Sequence, residues 1–136
     1  EVKNGEIIPN KNINITSQCL RVPVTDGHTA AVFVSFKTQI SPKDAIQKLK
    51  NFKGHEKSRN LPSSTSQFIN YFEDNSRPQI KIDREIEKGM GIAVGRMRND
   101  SQYDLKFVCM SHNTVRGAAG GAILLAEMLC REGYIS

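Results

Sequence analysis

The chain has 136 residues, 38% hydrophobic and 24% charged, which suits a soluble globular protein with room for one core. No run approaches the roughly 18 apolar residues that a membrane helix needs, and the first residues lack the apolar core of a secretory signal. Basic residues exceed acidic ones by 19 to 14, but the lysines are scattered and tryptophan is absent. A nucleic-acid binder would show a clustered stripe with aromatics, so neither nucleic acid nor a membrane is the expected partner.

Residues 1–12 are polar and read as a loose entry segment; with no initiator Met, the chain is expected to be cut from something longer. Residues 13–24 and 29–38 are rich in β-branched and aromatic side chains around Asp26-Gly27, a pattern that predicts two strands in a hairpin. Residues 30–36 are apolar on both alternating faces, which predicts a central strand. Ser41-Pro42 then opens a helix, with Ser41 as N-cap, Pro42 in its first position and Asp44 in its first turn. Ala45, Ile46, Leu49 and Phe52 share one face of it, Lys43, Lys48 and Lys50 lie on a solvated face, and Gly54 ends it.

Residues 53–78 are long, polar and irregular, anchored at the far end by Phe68-Ile-Asn-Tyr-Phe72. A short strand is expected over 79–82. Residues 89–98 and 104–111 alternate apolar and polar and predict a second strand pair across Asn99-Asp100-Ser101-Gln102. A last helix is predicted over 115–131, stopped by Gly133. The order β-β-α-β-β-α describes an α+β fold, an antiparallel or mixed sheet with helices packed on it.

Cys19, Cys109 and Cys130 are odd in number and lack metal or disulfide spacing. All three are expected as buried free thiols in a reducing, cytoplasmic setting, and no metal is expected. The run of small residues from Gly117 to Gly121 weakens an early helical turn, since Gly costs roughly 1 kcal/mol there relative to Ala. A cofactor or a second helix approaching closely would each account for it. It is neither a dinucleotide fingerprint nor a P-loop. Arg21 and His28 stand seven positions apart, a carboxylate- or phosphate-binding fork near a group that exchanges protons around neutrality. On spacing alone, a surface ion-pair arginine and a turn histidine is the commoner reading.

Read as strings, three blocks go further. Arg21-Val-Pro-Val-Thr-Asp-Gly-His28, Tyr71-Phe-Glu-Asp-Asn-Ser-Arg-Pro-Gln79 and Ser111-His-Asn-Thr-Val-Arg-Gly-Ala-Ala-Gly-Gly121 resemble, in order, segments of aspartate-semialdehyde dehydrogenases of the fungal and archaeal branch. The likeness runs from about residue 15 to about residue 127.

The resemblance implies the C-terminal portion of the catalytic and dimerisation domain over residues 1–136, like part of the C-terminal domain of glyceraldehyde-3-phosphate dehydrogenase-like enzymes. It implies reversible conversion of aspartyl phosphate to aspartate semialdehyde with NADPH, in the biosynthesis of lysine, threonine and methionine. Arg21 would hold a substrate carboxylate, His28 would be the acid/base, and Asn113 with Gly117 would meet the nicotinamide of NADP. His112 is expected as structural or as a neighbour of the site, and His55 as solvated. The family's nucleophilic cysteine and nucleotide-binding fold come earlier in the chain, and none of the three cysteines here has the polar helix N-terminal setting of a reactive thiolate. The isolated chain is therefore expected to be inactive, with NADP bound mainly by the absent part. A homodimer or dimer of dimers is implied, with Met97, Phe107 and Met110 as candidates for its face or for the core. A malonyl-coenzyme A reductase or an inactive dimerisation module are the alternatives.

Overall fold

Alternating apolar residues in the second half of the chain build the centre of the fold. In the computed structural model, which describes residues 2–136, a short hairpin of β1 (Val2–Lys3) and β2 (Glu6–Ile7) stands apart from the main sheet. The main sheet contains β3 (His28–Val34), β4 (Ile69–Phe72), β5 (Ile92–Asn99) and β6 (Leu105–Ser111), in the order β3-β6-β5-β4. β6 pairs antiparallel with both β3 and β5, while β4 joins β5 in parallel. Helices α1 (Pro42–Asn51), α2 (Ile80–Asp83) and α3 (Gly120–Arg131) complete an α+β fold with a mixed sheet, as expected.

Successive strand residues point to opposite faces, so the register sorts the side chains. Val32, Val34, Leu105, Phe107, Val94 and Tyr71 share one face; Ala31, Phe33, Val108, Met110, Ala93 and Phe72 share the other. α1 lies by the first face, with Lys50 Nζ 5.4 Å from the Tyr71 ring and paired with Glu73 at 2.7 Å. Lys50 is therefore not merely solvated. Ser41 caps this helix as predicted, its hydroxyl oxygen accepting the Asp44 N–H at 3.1 Å. Residues 74–90 approach the second face, where a Cβ on Gly95 would sit 2.5 Å from the Arg77 carbonyl oxygen. Only glycine lets those backbones come so close. Val94, Ala93, Leu105, Met110 and Met90 form the buried core, which settles Met110 as core; Met97 and Phe107 are half-buried.

Several expectations fail, each for a tertiary reason. Residues 13–24 form no strand, and Ile15 and Leu20 are 85% and 79% exposed. β-branched residues favour a sheet only where a neighbour is there to pack against. Pro23 lacks a donor, and the Val24 N–H instead donates to the Val22 carbonyl at 2.9 Å in a tight turn. β3 is consequently an edge strand rather than a central one, with Phe33 53% exposed. The short strand expected over 79–82 is replaced by α2, because the Asp83 carboxylate accepts the Gln79 N–H at 2.7 Å and curls the segment. Cys19 and Cys130 are exposed, not buried; Cys109 is half-buried, and burial pushes its thiol pKa up.

The last helix opens with a π-helical turn, Val115–Ala119, before α3. α3 is largely apolar apart from Glu127 and Arg131, yet none of its residues is buried and Ile123 and Leu125 are exposed. An apolar helix face normally lies covered. Among the described residues, no helix is long and apolar enough to cross a membrane.

Candidate functional site

β6 delivers its last residue, Ser111, opposite His28 at the start of β3. The chain then leaves the sheet as His112-Asn113-Thr114 and passes beside the turn that precedes His28. Gly27 in that turn has φ +106°, a conformation that side-chain-bearing residues avoid, and a Cβ there would lie 3.0 Å from Ile80 Cγ2. Its N–H donates to Asn113 Oδ1 at 2.6 Å across 86 residues of sequence. The Thr114 hydroxyl donates to Asp26 Oδ1 at 3.2 Å, and Arg84 Nη1 donates to Thr25 Oγ1 at 2.7 Å.

The bond to Gly27 settles the orientation of the Asn113 amide, because a backbone N–H requires an oxygen. Its NH2 end has no partner among the described residues. His112 is buried, its Nδ1 accepting the Val115 N–H at 3.4 Å and lying 3.2 Å from Thr114 Oγ1; its Nε2 is 3.6 Å from Glu85 Oε1. This supports the structural role expected for it.

The π-helical turn follows at once, tied by Gly117 N–H donating to the His112 carbonyl at 3.1 Å and Ala119 N–H to that of Thr114 at 3.0 Å. Internal packing explains two of the glycines there. A Cβ on Gly120 would fall 2.5 Å from Met90 Sδ, and one on Gly121 would fall 2.6 Å from the Arg116 carbonyl oxygen. Gly117 is different: its nearest neighbour would be 3.8 Å away, and the residue is exposed. The fold does not require glycine at that position, which leaves room for a ligand.

His28, Asn113 and Gly117 are thus brought into one region. Arg21 is not tied to it: the residue is exposed in the unpaired segment and makes no side-chain hydrogen bond or ion pair to a described residue. Thr114 and Arg84 carried no signal in the sequence, since their partners lie 88 and 59 residues away. Arg116 was also missed. Its half-buried guanidinium stacks 4.4 Å from the Phe68 ring, at the edge of an open cleft of about 350 Å³ between α3 and residues 53–65. No cysteine lies at a helix N-terminus: Cys109 is inside β6, Cys130 ends α3 and Cys19 is in the unpaired segment.

A family model described as the semialdehyde dehydrogenase dimerisation domain matches residues 1–116. The aspartate-semialdehyde dehydrogenase of Archaeoglobus fulgidus is 42% identical over 132 residues, covering 97% of this chain and 37% of that protein. The crystal structure of aspartate semialdehyde dehydrogenase with NADP from Candida albicans superposes with a TM-score of 0.75 at 38% identity, over 85% of this chain and 33% of that one. A malonyl CoA reductase (NADP) from Metallosphaera sedula is 34% identical over 138 residues, covering 99% of this chain and 39% of that protein. The chain spans little more than a third of the length of the curated relatives it matches. With the motif blocks, the sheet and the family model in agreement, the chain belongs to the semialdehyde dehydrogenase dimerisation-domain family.

Proposed function

We propose that this chain is the C-terminal part of the catalytic and dimerisation domain of an NADP-dependent aspartate-semialdehyde dehydrogenase. The observation that supports the reading best is the Gly27–Asn113 hydrogen bond, which ties the turn before His28 to the Ser111–Gly121 block. Arg21, exposed and without a carboxylate of its own, is suited to clamp the free carboxylate of the substrate. His28 exchanges the proton of a thiol nucleophile, which the remaining part of the enzyme supplies.

The residues present fit a nicotinamide. The unpartnered NH2 of Asn113 can donate to a carboxamide oxygen, and Gly117 leaves space beside it. The cofactor, when bound, supplies or accepts the hydride. The uncovered apolar surface of α3 supports packing against a further domain that holds most of NADP. By itself the chain offers no thiolate in a reactive setting and is inactive. The exposed edge strand β3 is consistent with pairing between copies, as a homodimer or dimer of dimers. The free thiols suit a cytoplasmic protein.

Likeness to the Metallosphaera reductase favours a second reading, a malonyl-coenzyme A reductase. Arg21 and His28 would serve it equally, since its substrate also has a free carboxylate. Assay of the complete enzyme with semialdehyde, phosphate and NADP, and in parallel with malonyl-coenzyme A and NADPH, separates the two. Turnover of the semialdehyde is expected; activity with the thioester alone overturns the first reading. In the same enzyme, Arg21→Lys is expected to raise the KM for semialdehyde about tenfold, because an ammonium cannot make the bidentate contact. The KM for NADP should stay put. Equal increases in both would show that Arg21 is no substrate clamp.

A further inference from the structure

The turn before His28 is held more firmly than a surface turn requires. Three consecutive residues are each tethered by a different side chain: Thr25 by Arg84, Asp26 by Thr114 and Gly27 by Asn113. The tethers come from two segments far apart in sequence, and Ile80 packs beneath Gly27. The buried His112 ring stands behind Thr114, its Nδ1 3.2 Å from the hydroxyl oxygen. Glu85 links the two sides, facing His112 Nε2 at 3.6 Å and pairing with Arg84 at 3.1 Å.

We propose that Thr114 is a positioning residue for His28, fixing the Asp26–Gly27 turn from which the imidazole projects. His28 makes no side-chain bond of its own to a described residue, so the backbone aims it, set by that turn on one side and by the pairing of β3 with β6 on the other. The Asp26 carboxylate stands two residues before the imidazole and, once untethered, becomes free to swing. The Thr114 hydroxyl occupies one of its oxygens and so keeps it in place. Preorganisation of this kind affects the rate more than binding, because small misplacements of a reacting group are felt at the transition state. This role rests on His28 being the acid/base of the proposed dehydrogenase.

The test uses the complete enzyme carrying Thr114→Val, which keeps the shape and removes the hydrogen bond, beside Thr114→Ser, which keeps the hydroxyl. Amide exchange over residues 24–30 is expected to quicken about fivefold in the valine variant, the scale of one lost bond. The kcat for semialdehyde should drop about tenfold with both KM values unchanged, and serine should restore exchange and rate. A valine variant as fast as wild type overturns the positioning role, as does a loss of rate that serine does not rescue. Unchanged amide exchange overturns the tether itself. Wild-type enzyme inactive on both acyl donors would instead sink the dehydrogenase reading and the positioning role with it, while the exchange measurement still reports on the tether.

Discussion

In the complete enzyme, His28→Asn is expected to lower kcat by about 10²- to 10⁴-fold, the usual worth of general acid/base assistance. Asparagine keeps a polar side chain of similar reach but has no proton to exchange near neutral pH. The substitution should leave the fold alone. His28 is exposed at the first position of an edge strand, and its side chain forms none of the bonds that hold the neighbouring turn. The melting temperature and the KM for NADP should therefore match wild type. A loss in kcat of less than about tenfold would assign the proton transfers to another group.

The largest effect on stability is expected from Asp83→Ala. Asp83 is 2% exposed, and its carboxylate accepts hydrogen bonds from the Arg77 guanidinium and from the Gln79 N–H. Arg77 in turn stacks over the Phe72 ring at 3.7 Å, so this pair holds residues 74–90 against the sheet. Removing the carboxylate leaves the Gln79 N–H without its acceptor, at a cost of about 2 kcal/mol, while the Arg77 guanidinium, 29% exposed, turns to solvent. That is a large share of the 5–15 kcal/mol on which a typical domain depends. Urea unfolding would measure it, and a loss under about 1 kcal/mol would show that the pair is only a surface contact.

The same pair sets a pH dependence. Burial alone would raise the Asp83 pKa, but the hydrogen bonds from Arg77 and Gln79 outweigh it and hold the carboxyl below its ordinary value. A depressed pKa in the folded state stabilises the fold above the unfolded value, near 4, and the contribution is lost as pH falls through the folded value. Asp100 behaves alike: the hydrogen bond from Lys106, then the Gln102 N–H, lower its carboxyl to about 2. Stability should hold from neutrality to about pH 4 and fall below it, with a smaller acid loss in Asp83→Ala.

Much of this protein is written in contiguous residues. The strand pair predicted over 89–98 and 104–111 is found at 92–99 and 105–111, and the Ser41-Pro42 helix start and the Gly133 stop fall where the pattern puts them, since each depends on neighbours within a turn or a pleat. The three motif blocks were legible for the same reason, and they sufficed to point to the family. What is settled between distant segments was not legible. Residues 13–24 have strand composition but no strand beside them, so composition alone misplaced them and made β3 central instead of an edge. The glycines after Asn113 looked alike in the sequence. Packing against Met90 and the π-turn carbonyl separates Gly120 and Gly121 from Gly117, which faces open space. Local pattern alone makes Asn113 a polar residue ahead of a helix, and the motif resemblance marks it as a nicotinamide contact; its bond from the Gly27 N–H at 2.6 Å appears only with the fold. Such a bond depends on how the strands register, and no local rule of periodicity or capping encodes it.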